Sequence, residues 1–582
     1  MPKEKSNIRS KKNILIFSLI MVIVILGFAL YIQTNSQNSR ASEVAFEGET
    51  NAYTIDQVES NWCTEHDVSY TAWYPFFAGG WPMKNAQYHQ WTNVTIANPN
   101  DTDVSVTIVV RDSDDGSRVL HELTDIVPPK SSFDTRDIQE TWFGFVDVRA
   151  GERGSMQIFA DLPVQATTRT FITSSTDPQA YNGEVIYYED EPFIDQASTT
   201  IFAIPYSNYT APSVKFKQKD AFFVANTSNR STMATATVHY MSGETKEFKK
   251  LIEPYGTWQE LDNTDTATVG YLTIEATEPL VGLNRQRKED PTEQYVITQY
   301  DDEPFIPAEQ ASERLYYNAY YKAWPCEDFQ GRECRLWSHP TMYNPGSQEA
   351  EVSIQIYDTE GALVNTLPIT IPAYGTYNAH SSPSWNNMPS VPDKGISYGE
   401  GSGFGSMMIE SSQPLIGQSR ITHRLLPDNG EPNHWDDPAF LDDDTFVNPL
   451  QLSGYHSGPV LDQAAENNQL LITNPQSESI QVTITTYDTA RNVQSISASI
   501  PGNGVWMSEA DASWSSLFST EDGMKIEIVE LTEETGTAFY AMYATTVRSD
   551  AGELQLWDND SDIVRSVATE NVDQVAREYS CQ

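Results

Sequence analysis

Residues 341–377 read TMYNPGSQEAEVSIQIYDTEGALVNTLPITIPAYGTY, and this stretch decides the fold. An apolar run ends at Asn344-Pro345, a pair whose residues both favour turn geometry. Val352, Ile354 and Ile356 then alternate with polar residues. A period of two buries one face of a strand and wets the other. The strand ends at Tyr357-Asp358, and a polar turn with Gly361 supplies hairpin chemistry. Another strand then runs into the turn IPAYGTY at Pro372.

The same landmarks recur in the same order in four copies. The Asn turns are TIANPNDTD at Asn98, FVANTSNRS at Asn226, the one at Asn344, and LITNPQSES at Asn474. The other alternating sets are Val106, Ile108 and Val110; Ala234, Ala236 and Val238; and Val482 with Ile484. The matching Pro turns carry Pro128, Pro254 and Pro501. A Gly-led strand follows at Gly154, Gly270 and Gly405, with Pro and Arg in fixed places: Pro163 and Arg169, Pro279 and Arg285, Pro414 and Arg420. In the last copy the strand from Gly523 lacks that proline and shifts its alternation, so it reads as a divergent terminal unit. Aromatic-rich segments near Tyr70, Ile201, Leu315 and Gln451 introduce the copies, and acidic linkers precede three of them: DEPFIDQAS at Asp190, DEPFIPAEQAS at Asp302 and DDPAFLDDDTF at Asp436.

Short strands with turn signals between them predict an all-β chain of four tandem antiparallel β-sandwich modules, at 65–175, 198–300, 314–425 and 450–550. The pattern resembles the immunoglobulin-like repeat modules common in bacterial surface proteins, over about residues 65–550. That resemblance implies roles in adhesion, envelope scaffolding and display.

Ahead of the repeats, residues 1–12 carry Lys3, Lys5, Arg9, Lys11 and Lys12. The uncharged apolar run Ile14–Ile32 follows. As a helix rising ~1.5 Å per residue it matches a bilayer core of ~30 Å. We therefore expect a basic cytoplasmic tail (1–12), a transmembrane signal-anchor helix (13–32) and a polar stalk (33–64), with the bulk extracytoplasmic and a C-terminal tail at 551–582. A cleaved signal peptide has a shorter apolar core and a small-x-small site, and YIQTNSQNS offers no good one.

The 36 basic and 81 acidic residues give a net charge of −45. Such a surface repels phosphate backbones, so nucleic acid is not expected as a partner. Membrane, through the N-terminal helix, and envelope proteins or glycans are.

Few residues carry chemistry. CEDFQGREC spaces Cys326 and Cys334 as a small loop whose disulfide would add about 2–3 kcal/mol. Cys63 and Cys581 flank the array and are left open. Asp558, Asp560 and Asp562 place oxygens at alternate positions, as calcium loops do, but lack the usual Gly and the late Glu; a solvated acidic turn is the bland alternative. Calcium is the one cofactor candidate. His423 and His434 fit no zinc spacing, and no HExxH or GxSxG occurs. No catalytic residue is assigned. Arg169, Arg285 and Arg420 recur once per copy, which points to a structural task such as satisfying a linker carboxylate or backbone carbonyls. The repeated Asn98, Asn226, Asn344 and Asn474 belong to the fold in the same way.

These features favour a non-enzymatic envelope scaffold, spacer or adhesin, because repeated modules extend reach more readily than they build a cleft. The runner-up is a carbohydrate-binding or polysaccharide-processing protein, motivated by 13 tryptophans and abundant acids, with Trp73, Trp81 and Trp324 as stacking candidates. A third reading is a partner subunit of a surface or secretion complex. A functional site would lie in unrepeated loops such as 322–338 or 380–404.

Overall fold

The alternating strands behave as their period requires. In 232–240, 350–356 and 480–486, the residues at every second position are buried, and the intervening residues, mostly Thr, Ser and Gln, are partly or fully exposed. The structure is a computed structural model. It describes residues 68–558 apart from position 114 and the segments 84–87, 145–151, 175–180, 182–183, 211–216, 241–242, 262–267, 290–296, 330–331, 387–402, 426–433, 437–449, 462–463, 489–490, 517–523 and 550–553. The apolar run at 14–32, the stalk, Cys63, Cys581, Asp560 and Asp562 lie outside the described residues. Among those described, no helix is long and apolar enough to cross a membrane.

The described chain is mostly β, in antiparallel sheets. In the first copy the strands are β1 (Tyr70–Met83), β2 (Tyr88–Asn98), β3 (Val104–Asp112), β4 (Val119–Val127), β5 (Ser131–Asp134), β6 (Glu152–Ala160), β7 (Gln165–Ser174) and β8 (Glu184–Pro192). Their pairing order is β4-β3-β6-β1-β2-β7-β8, with β5 added to β2. β1 pairs with β6 from Tyr70 and with β2 from Gly79, and a bulge lies between Tyr74 and Phe77. That shift of partner lets both halves of the path enclose one core, which includes Tyr74, Trp91, Ile96, Val106, Ile108 and Ile158. Each fully buried aliphatic or aromatic side chain of this kind contributes about 1.5–3 kcal/mol.

The fourth copy repeats this order with separate strands Met524–Glu533 and Tyr540–Ser549, and the second and third merge the corresponding pair into one long strand. Thr268–Glu289 does alone what β6 and β7 do together: its first half pairs with Thr232–Tyr240 and its second with Lys217–Asn226. Gly403–Leu425 acts in the same way between Ala350–Asp358 and Arg332–Tyr343. The third and fourth copies lie on one hydrogen-bonded path, joined by a single parallel bridge, Phe329 to Leu554.

The acidic segments at Asp190 and Asp302, expected as linkers, begin as strand, through Pro192 and Pro304. Glu184–Pro192 and Ile297–Pro304 pair with the strands that carry Arg169 and Arg285. Leu554–Asp558, within the expected tail, pairs with Tyr540–Ser549. An acidic strand is tolerated next to a sheet when its carboxylates face guanidinium groups, and the register puts Asp190 opposite Arg169 and Asp302 opposite Arg285.

Candidate functional site

Each repeated Asn is a fully buried clamp. Asn344 Nδ2 donates to the carbonyls of Gln348 (2.7 Å), Ile371 (3.3 Å) and Pro372 (3.2 Å), and its Oδ1 accepts from Gly346 N–H (2.9 Å). Asn474 binds Glu478, Ile500, Pro501 and Gln476 in the same pattern. Asn98 and Asn226 reproduce it, holding Thr102 with Val127 and Arg230 with Glu253. One amide thus ties the Asn turn to the Pro turn in every copy.

Each Pro turn carries one non-glycine residue of positive φ: Lys130, Tyr255, Tyr374 and Asn503. Each of these touches another copy. Tyr255 stacks on Trp73 at 6.1 Å and lies under the Arg111 guanidinium at 4.7 Å. A Cβ on Gly116 would stand 2.2 Å from the Tyr255 backbone, so only glycine allows that approach. Tyr374 O accepts from Tyr271 Oη at 3.4 Å, beside a stack of His239, Tyr271 and Tyr343. Burial pushes the Tyr271 hydroxyl far above its ordinary range. Asn503 O accepts from Ser406 Oγ at 2.9 Å. Lys130 Nζ, in the first copy, reaches Glu530 of the fourth at 2.7 Å and lies 5.6 Å over the Tyr487 ring. The contacts therefore run from first to second, second to third, third to fourth, and fourth back to first. Arg111 and Tyr487 hold the same place at the end of their strands. At the first seam the strand end supplies the cation and the turn the ring; at the fourth the roles are exchanged. Apolar clusters back the first three seams: Trp73 with Val281, Phe202 with Ile416, and Tyr357 with Val505.

Buried charge lies beside the first two seams. Arg285 forms a two-point pair with Asp302, Nε to Oδ1 at 2.5 Å and Nη2 to Oδ2. Their side chains are 7% and 0% exposed. The Arg285 guanidinium also lies 4.3 Å over Phe76 and reaches Gln90 Oε1 of the first copy at 3.4 Å. Burial raises the Asp302 carboxyl, and Arg285 opposes that shift. Arg169 pairs with Asp190 in the same two-point way. Arg420 instead donates across a seam to Gln286, which also accepts from Gln218 at 2.8 Å. Counting five residues back from each Asn along the paired strands puts Arg169 opposite Asn93, Arg285 opposite Ala221 and Arg420 opposite His339. The same count in the fourth copy finds Ala544 opposite Gln469, so that copy has no such arginine.

The remaining candidates divide. Cys326 and Cys334 are direct cross-strand partners in the hairpin Ser312–Phe329 with Arg332–Tyr343. His423 and His434 are opposite each other as well. Asp558 ends a strand. Among the described residues no group of three or more His, Cys, Asp or Glu could hold a metal. Trp73 is buried in a seam, Trp81 lies 3.8 Å under the Arg153 guanidinium, and Trp324 packs on Phe404. The segment 322–338, expected as a loop, is strand in its described part, and it meets the described part of 380–404: Trp385 donates to Ser338 O at 3.0 Å and packs edge-on to Tyr320. They meet as core, since Tyr320, Tyr321, Trp385 and Phe404 are all buried.

Trp385 also exposes a repeat missed in the sequence. Trp142 donates to Thr92 O at 2.9 Å, and both acceptors stand six residues before their Asn. Trp514 occupies the matching short helix of the fourth copy. The signal was available as a Trp 40–44 residues after Asn98, Asn344 and Asn474. Its variable spacing and its absence from the second copy hid it.

No protein-family model matches this chain, and no curated protein does. Among solved structures, the chain has a match described as the crystal structure of a tetra-tandem repeat in the extending region of a large adhesion protein. The match covers 83% of this chain and 97% of that one, at 11% identity and a TM-score of 0.09.

Proposed function

We propose that this protein is a membrane-anchored, extracytoplasmic, non-enzymatic scaffold of four β-sandwich modules closed into a ring. The observation that carries the ring is the cyclic docking of Pro turns, above all Lys130 of the first copy on Glu530 and Tyr487 of the fourth. Closure alters the expected role. A row of modules extends reach, whereas a ring holds its loops in one rigid frame, which suits a platform or adhesin better than a spacer. The run Ile14–Ile32 is the proposed anchor and residues 33–64 the stalk. The register of Cys326 and Cys334 supports a disulfide there, because facing antiparallel residues have the Cα spacing that such a bond requires.

Carbodiimide treatment of the intact chain tests the ring. This reagent joins only groups already in contact. We expect a concentration-independent isopeptide link between Lys130 and Glu530, found by peptide mapping. In an open row those residues lie three modules apart, and absence of the link overturns the reading. Protease added to intact cells tests location: digestion of the repeats is expected, and full protection refutes it.

A further inference from the structure

The strands Val119–Val127, Thr245–Ile252, Leu363–Ile371 and Val493–Ile500 are the outermost of their pairing paths among the described residues. An outer strand presents unpaired N–H and C=O groups, and proteins guard such edges with charge, lysine or proline. Three of these four are guarded. The first carries Glu122 and Asp125, the second Lys246, Lys249 and Lys250, and the third Pro368. The fourth reads VQSISASI and has no charge and no proline. Ala498 and Ile500 turn into the core, with Ile496 packed against it. Val493, Ser495, Ser497 and Ser499 face out and are exposed. The serines are short, so nothing bulky obstructs an incoming backbone.

We propose that Val493–Ile500 pairs antiparallel with the same strand of a second copy of this chain. Paired residues must share a face, which limits the register. A two-fold axis at Ile496 sets Ser495 opposite Ser497 of the second copy and Val493 opposite Ser499. Every facing pair in that register is uncharged. Charge and proline together argue for self-pairing at this edge over the other three. Two chains of −45 repel, and at physiological ionic strength that repulsion is screened beyond about 8 Å. Close approach then requires an edge free of charge, and of the two uncharged edges, Leu363–Ile371 and Val493–Ile500, only the second also lacks proline. A basic partner strand would show the opposite salt dependence, because its attraction to −45 weakens as salt rises.

Sedimentation of the detergent-solubilised full-length chain tests this, across protein concentration at low and high salt. A reversible dimer that strengthens with salt is expected. The double variant Ser495→Lys with Ser497→Lys sets lysine against lysine and weakens association about tenfold or more. Thr366→Lys, on the edge guarded by Pro368, leaves it unchanged. Mixing Ser495→Cys chains with Ser497→Cys chains gives a 495-to-497 cross-link, and neither chain alone gives a 495-to-495 or 497-to-497 link. A monomer under all conditions, association that salt weakens, indifference to the lysines, or a cross-link in another register overturns the proposal.

Discussion

Asn344→Asp changes one NH₂ group to oxygen and leaves the shape intact. The amide now donates two N–H bonds shared among three carbonyls at 2.7, 3.3 and 3.2 Å, and its oxygen accepts from Gly346. Aspartate keeps the acceptor but turns a second oxygen toward those carbonyls. Two neutral hydrogen bonds are worth roughly 1–3 kcal/mol, and an unpaired buried carboxylate costs several more. We expect a loss of about 3–5 kcal/mol at neutral pH, within the third copy. The sign with pH follows from linkage. Facing carbonyls and burial raise the folded pKa of the new carboxyl above its unfolded value of about 3.9. The folded state then holds a proton that the unfolded state has lost, so stability falls as pH rises between the two values. Protonated, the group donates one bond again, and part of the loss is recovered in acid. Hydrogen exchange of Ala350–Asp358 and Leu363–Ile371, at pH 7 and near pH 4, reads the effect locally. A deficit under about 1 kcal/mol at pH 7, or one that is the same at both pH values, refutes the clamp. Asn474→Asp must behave alike.

Three further outcomes follow from the geometry. Arg285→Met leaves Asp302 buried and unpaired and should cost about 3–5 kcal/mol, while Arg285→Met with Asp302→Leu should recover most of it; a double variant no better than the single contradicts the pairing, as denaturation midpoints will show. Trp142→Phe and Trp385→Phe each lose an indole bond to a buried carbonyl, so each should lower stability by about 1–3 kcal/mol, and equal shifts at both sites check their equivalence. The Ser513 hydroxyl, opposed by partial burial and aided by the Ser513 N–H, the Trp506 indole and the Trp514 N–H, holds the Asp511 carboxyl below its ordinary value. Its folded pKa is therefore depressed, its contribution is present above pH ~4 and is lost as pH falls through the folded value, and Trp506 fluorescence should follow this in the parent but not in Asp511→Asn.

Residues of local consequence were legible without coordinates. Alternation at Val352, Ile354 and Ile356 states which side of a strand is buried, because side chains alternate whatever the strand packs against. Asn344-Pro345 and Pro372 mark turns for reasons internal to a few residues. That Asn344 bonds the Pro turn was not legible, because the partners are 27 and 28 residues away and are carbonyls, which every residue has. Asp190 and Asp302 read as linker because acid-rich segments usually stay in water. Only the register shows the arginine that each one faces.

By itself, the sequence determined the repeat, its strand order, its buried faces and the residues common to every copy. These rest on periods of two and on turn chemistry, which act over neighbouring residues. Tertiary structure alone decided that the first copy meets the fourth. Closure depends on the angle between successive copies, summed around the ring. That angle is set by small seams whose chemistry differs each time: Arg111 on Tyr255, Tyr271 on Tyr374, Ser406 on Asn503, Lys130 on Glu530. No local pattern records a sum of angles, so a chain built to the same plan with slightly different seams would have remained an open row.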